Sequence, residues 1–227
     1  MRKFPAILIL LFFGTMTFGQ QKPGKYFEGV VEYEIRSESH IPGVSDNEMR
    51  ERMGAKLLLH FKNGTYMREY IDGAGYTLNK QYYFRDKNIM CMHNVMFAPD
   101  TLYTLDPTDK VFSSYTVTKG ETEKILGVDC PSAVINAKYF SPFIGDTTVL
   151  TMIYYFSYDL PVDPSWSKNV YLWKDVIAEH HSIATKFIED DPIISKQTFT
   201  AVKVTWQPVA DEIFKLDPKL VRVKAPK

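Results

Sequence analysis

The sequence predicts a mainly β protein of the α+β kind: a curled antiparallel sheet, rolled toward a partly open barrel, with two short helices lying against it. Three observations predict this. Segments of period-two alternation recur along the chain, turn residues separate them at hairpin spacing, and only two stretches carry a helix cap or helical spacing. Consecutive hairpins of this kind build one long sheet, and a rolled sheet lines its inner surface with alternate side chains.

The chain opens on Met1-Arg2-Lys3, an apolar run over residues 4–13, and a small-residue stretch over 14–20. Basic, apolar and small regions in that order make a cleavable signal peptide. Gly14, Thr15 and Thr17 interrupt the run well short of the roughly 20 apolar residues a membrane-spanning helix needs. Cleavage is expected after Gly19, where Thr17 and Gly19 stand at the two positions that demand small side chains. The chain then divides into a signal peptide at 1–19 and a single β domain at 20–227, periplasmic or secreted, with no transmembrane segment after cleavage. No cysteine stands near the junction, which argues against a lipid-modified N-terminus.

The first strand places Phe27, Gly29, Val31, Tyr33 and Ile35 on one face and Glu28, Val30, Glu32, Glu34 and Arg36 on the other. Ser45-Asp46-Asn47-Glu48 reads as a capping box, starting a short helix that runs to about Gly54. Leu57, Leu59 and Phe61 then alternate with Leu58, His60 and Lys62. Asn63-Gly64 follows, a pair that tolerates the positive φ angles of a type I′ turn, so a hairpin returns over residues 66–71. Further strands are expected over 76–84, 89–92, 101–105 and 111–118, and two long ones over 128–137 and 148–158. The last of these is apolar or aromatic on both faces, as in a strand covered on both sides or lining an apolar cavity. Val170, Trp173 and Ile177 recur at helical spacing, giving a second helix that ends near His180-His181. A final hairpin joins 183–188 to 193–206 through Glu189-Asp190-Asp191-Pro192, and the tail over 210–223 closes the domain.

The 27 basic and 27 acidic residues balance, and loss of Arg2 and Lys3 leaves a slight acidic excess. Nucleic acid is therefore an unsuitable partner, since binding it takes a clustered positive field. Cys91 and Cys130 allow one disulfide, worth about 3 to 4 kcal/mol in the chain-entropy model; the alternative is two buried thiols.

No constellation marks catalysis. Glu179-His180-His181 would have to share a metal, yet adjacent side chains diverge by about 100° on a helix. A metal-dependent hydrolase built on them ranks third among the readings, behind a polar helix end suited to the C-terminal dipole. Glu189-Asp190-Asp191 lacks the alternating ligands of a calcium loop and reads as a charged turn. Nucleophile elbows and phosphate-cradling glycine loops are missing from the sequence, and no cofactor is implied. Asn63-Gly64-Thr65 matches a glycosylation acceptor, but its turn chemistry accounts for it. What remains is the aromatic content, 14 Tyr and 15 Phe, either packed as core or lining a cleft for a hydrophobic ligand.

Three segments carry a family resemblance. Phe27-Glu28-Gly29-Val30-Val31-Glu32-Tyr33, Lys124-Ile125-Leu126-Gly127-Val128-Asp129-Cys130-Pro131-Ser132-Ala133 and Asp211-Glu212-Ile213-Phe214-Lys215-Leu216-Asp217-Pro218 together resemble exported bacterial proteins of the GLPGLI type. The resemblance implies a fold similar to the LolA/LolB-like lipoprotein carriers, an unclosed antiparallel half-barrel with helices under it that holds acyl chains. The Gly-Leu-Pro-Gly-Leu-Ile motif itself is absent, and residues 169–181 stand in its place. The function expected is non-enzymatic binding of a lipid or acylated peptide in the concave face, with Leu59, Phe61, Tyr70, Tyr83, Tyr155 and Trp173 facing the ligand. The alternative is an interaction module that docks an envelope protein partner and takes no small ligand.

Overall fold

The computed structural model describes residues 25–225, so the signal peptide expected over 1–19 lies outside the described residues. In chain order the elements are β1 (Gly29–Ser39), α1 (Asp46–Met53), β2 (Lys56–Lys62), β3 (Thr65–Ile71), β4 (Thr77–Phe84), β5 (Ile89–Asn94), β6 (Thr101–Leu105) and β7 (Ser114–Lys119). There follow β8 (Glu123–Ile125), β9 (Val128–Cys130), β10 (Ser132–Ser141), β11 (Asp146–Pro161), α2 (Trp173–His180), β12 (Ser182–Asp191), β13 (Ser195–Trp206) and β14 (Val221–Lys224). Twelve strands form one sheet in the order β14-β6-β5-β4-β3-β2-β1-β13-β12-β11-β10-β7, and β8 and β9 form a separate hairpin. The sheet is large and curved, and its ends β14 and β7 do not meet, so no barrel closes. Bulges in β13 opposite Glu32/Tyr33 and in β12 opposite Tyr155/Phe156 help bend it, because the extra residue on one strand increases local twist.

The capping box forms as the sequence requires. The Ser45 side chain accepts from the Glu48 N–H, while the Glu48 carboxylate accepts from the Ser45 N–H at 2.8 Å, satisfying two orphan donors. Asn63 (φ 48°) and Gly64 (φ 80°) close the β2–β3 hairpin in the left-handed region. Leu126 (φ 50°) and Gly127 (φ 83°) repeat that geometry between β8 and β9, a hairpin the alternation did not reveal.

Three further details depart from expectation. The strand expected over 128–137 is divided at Pro131, which has no N–H for a ladder; its carbonyl instead accepts from the Phe156 N–H at 2.9 Å. Glu189, Asp190 and Asp191 belong to β12 rather than to a turn, paired with Gln197, Lys196 and Ser195. The Asp191 carboxylate then accepts from the N–H groups of Ile193 and Ile194, so the reversal starts at Pro192, three residues later than the charged run suggests. The C-terminal segment adds β14 parallel to β6, the single parallel pair among the described residues.

The inner face of the sheet carries the main core. Val31, Tyr33 and Ile35 of β1, Leu57 and Leu59 of β2, and Phe187 and Phe199 of β12 and β13 are buried there, each in register with an inward neighbour. A second, smaller cluster of Met67, Tyr82, Cys91 and Leu102 lies on the outer face of β3–β6, covered by Phe214, Leu216 and Leu220 of the tail. The tail therefore works as a lid on the sheet's outside. The disulfide weighed for Cys91 and Cys130 does not form, and both thiols are buried and free. Cys91 belongs to the outer cluster, whereas the Cys130 sulfur sits 3.3 Å from the Thr185 hydroxyl of β12. Along the sheet β5 and β12 are separated by five strands, far beyond the roughly 4.4–6.8 Å between Cα atoms that a disulfide spans.

Candidate functional site

Between the inner face and the connection from β11 to β12 lies an open cavity of about 120 Å³. Its floor is sheet. Paired residues of neighbouring strands point to the same face, so Leu59 and Phe61 of β2 bring Arg68 and Tyr66 of β3 into the cavity, and Tyr66 brings Tyr83 of β4. From the other half of the sheet come Tyr154, Phe156 and Phe187, with Tyr154 opposite Phe187 in the β11–β12 register.

The roof is residues 162–177, and its path follows from local chemistry. Asp163 caps a turn of 3-10 helix (Pro164–Ser167) by accepting from the Ser165 N–H at 2.9 Å, and Pro164 supplies a first position that needs no donor. This delivers Trp166 onto Gly64, where a Cβ would lie 2.7 Å from the Trp166 Cβ. The Trp166 ring also packs against Phe61 and Tyr26, at centroid distances of 6.0 and 5.1 Å. Leu172 then takes φ 69°, ψ −52°, and the Trp173 N–H donates to the Tyr171 carbonyl at 2.8 Å. That is a γ-turn of the strained hand, held by burial of the Leu172 side chain. Helix α2 begins there, presenting Trp173 and Ile177 to the cavity; Trp173 meets Tyr154 edge-on at 4.7 Å. The roof is pinned by the Tyr171 N–H donating to the Pro107 carbonyl at 2.7 Å and by a short Tyr115–Asp175 hydrogen bond.

The walls are mostly aromatic or aliphatic. Burial, together with the neighbouring Glu189 carboxylate, holds the Tyr154 phenol well above its ordinary pKa, so it stays a donor, giving its hydrogen to Glu189 Oε1 at 3.0 Å. Tyr70 is likewise pushed up, by burial, to about 12. The cation on the lining is Arg68. Its guanidinium lies 5.3 Å from the Tyr66 ring centroid and 5.8 Å from that of Phe187, within the range of cation–π attraction.

Of the side chains expected to face a ligand, Leu59, Phe61, Tyr83 and Trp173 line the cavity and two do not. Tyr70 shares the inner face but packs edge-on against Phe199 at 6.3 Å. Tyr155 points to the opposite face, beneath the Lys186 amine at 5.2 Å, because it alternates with Tyr154. Arg68, Trp166 and Phe187 were missed. The signal for Arg68 was present in Tyr66-Met67-Arg68-Glu69-Tyr70, where alternation places the arginine in an inward aromatic row.

His180 and His181 take different environments. His180 is buried, stacked on Phe156 at 4.2 Å with its Nδ1 unpartnered, and burial lowers its pKa. This departs from the polar helix end expected there, because burial disfavours the charged ring that the C-terminal dipole would suit. His181 turns into the left-handed region and ends the helix, its Nε2 at 2.5 Å from the Ala178 carbonyl. Among the described residues no group of three or more His, Cys, Asp or Glu side chains is placed to hold a metal. Nor, among them, is any helix long and apolar enough to cross a membrane. No protein-family model matches the chain, and no curated protein shows significant sequence similarity to it.

Proposed function

We propose that the protein is a non-enzymatic binding protein of the cell envelope that holds a hydrophobic ligand, a lipid or acylated peptide, under the curved sheet. The observation that carries this reading is the aromatic-lined cavity between the inner face and residues 162–177. Ligand sites are concave and mostly apolar, with few polar groups, and this one has that character. An apolar cavity of roughly 150 Å³ takes up one benzene molecule, so about 120 Å³ suits a single acyl segment rather than paired chains. The resemblance to GLPGLI-type proteins and, through them, to LolA-like carriers supports the same reading and would place the protein in the periplasm or outside the cell. Extraction of the purified protein with organic solvent, followed by lipid mass spectrometry and titration with a fluorescent fatty-acid probe, tests it. A single bound chain per protein, or stoichiometric probe uptake, is the expected result; an empty protein that ignores the probe contradicts it.

A second reading, docking of an envelope protein, draws on a different place. Phe140, Phe143 and Ile144 at the β10–β11 tip are 64%, 77% and 54% exposed, an unusual concentration of apolar side chains on a hairpin end. A pull-down that loses its partner on Phe143→Ser while ligand uptake is unchanged would favour it.

A further inference from the structure

We propose that Arg68 is the head-group anchor of this cavity, which makes the ligand a single-chain amphiphile ending in an oxyanion. The inference rests on the binding role proposed above and adds the chemical class of ligand. Arg68 is opposite Leu59 on one side and Gln81 on the other, partly buried within the aromatic floor. Among the described residues no carboxylate forms a salt bridge with it.

Two acidic side chains bear on the site, one acting on Arg68 and one on the lining. Glu189 contributes a favourable field to Arg68, yet its Oε1 accepts from Tyr154 and it does not line the cavity. Asp163 does line it, but its carboxylate is engaged with the Ser165 N–H in the roof. The guanidinium therefore has aromatic faces and the Tyr70 hydroxyl as its company, and most of its five donors remain available.

The neighbouring Tyr66, Tyr70, Tyr154 and Glu189 favour the charged form of Arg68 despite its burial. It therefore stands in the floor as a guanidinium with ring faces at cation–π range and, among the described residues, no carboxylate paired to it. An oxyanion entering the cavity would complete the site. The planar fork of arginine matches a carboxylate or a phosphate through two parallel hydrogen bonds. The apolar tail would then lie along the Leu59, Phe61 and Trp166 side of the cavity.

Isothermal titration of dodecanoic acid, its methyl ester and dodecyl phosphate into the full mature chain tests this. The wild type is expected to bind one or both oxyanion compounds about tenfold or more tighter than the ester, the scale of a charged hydrogen bond. Whichever of the two binds tighter identifies the head group. Arg68→Met fills similar space and removes the charge; it should abolish the preference for oxyanion over ester, and Arg68→Lys should restore part of it. An ester that binds the wild type as tightly as the acid overturns the assignment of Arg68 and leaves the apolar site standing, and this outcome needs no variant to fold. A preference that persists in Arg68→Met overturns it as well. Failure of all three compounds, the ester included, contradicts the binding role itself.

Discussion

Gly64 and Gly127 form a matched pair that isolates how the roof is seated. Both occupy the second position of a two-residue turn, at φ 80° and φ 83°, after Asn63 at φ 48° and Leu126 at φ 50°. Alanine at either site pays the left-handed cost of an L residue, about 1 to 2 kcal/mol. At Gly127 nothing lies within 4 Å of the added methyl, so that is the whole expected loss. At Gly64 the methyl would lie 2.7 Å from the Trp166 Cβ, 2.8 Å from its Cγ and 3.0 Å from the Arg85 Cδ. The first two are the Cβ and the ring root of a side chain whose indole packs against Phe61 and Tyr26, so the roof turn must move. Overpacking of this kind adds about 1 to 3 kcal/mol, for a total of roughly 2 to 5 kcal/mol. Urea unfolding monitored by circular dichroism and tryptophan emission measures both losses, and a shifted native emission in Gly64→Ala alone would report a moved Trp166. Equal losses for the two variants, with unchanged emission, would refute the placement of Trp166 on Gly64.

Other consequences are simpler to test. Burial lowers the pKa of both His180 and His60 below the ordinary 6.5, so the unfolded chain binds more protons as pH falls through that value. Stability is full above about pH 6.5 and declines below it; thermal melts from about pH 7 to pH 5 should show a shallower decline in His180→Phe, and an unchanged slope would mean His180 is solvated. Ser45→Ala removes the hydroxyl that caps α1 and should cost about 1 kcal/mol in urea titrations, with no loss arguing that the cap is idle. Tyr154→Phe deletes the donor to the half-buried Glu189 carboxylate, and a loss of about 1 kcal/mol is expected for that hydrogen bond. Denatured, unreduced protein should take up two equivalents of a thiol reagent, as its two free cysteines require; zero would mean a bridge.

Much of the fold could be read from residues that act locally. Asn63-Gly64 and the Ser45–Glu48 box name their own geometry, and the alternation through Val31, Tyr33 and Ile35 marks the buried side of β1. Less legible were features set by distant partners. Val221-Arg222-Val223-Lys224 is exposed throughout and forms a strand because β6 offers it a free edge. Val170, Trp173 and Ile177 do converge on the cavity as their spacing suggests, but Val170 precedes α2, which the γ-turn at Leu172 delays to Trp173. Tyr154 and Tyr155 are indistinguishable as a doublet, and only the register with Phe187 decides which one faces inward. Arg68 shows the same limit: alternation places it inward, whereas its lack of an ion partner depends on where Glu189 and Asp163 find theirs.

The most direct measurement is paramagnetic broadening of amide resonances by spin-labelled stearate added to isotopically labelled mature protein. Binding under the curved sheet should broaden Leu59, Phe61 and Ala184 at substoichiometric ligand and spare Met67 and Leu102 on the outer face. Broadening confined to the Phe140–Ile144 tip, or none at all, would contradict a ligand site beneath Trp166 and Trp173.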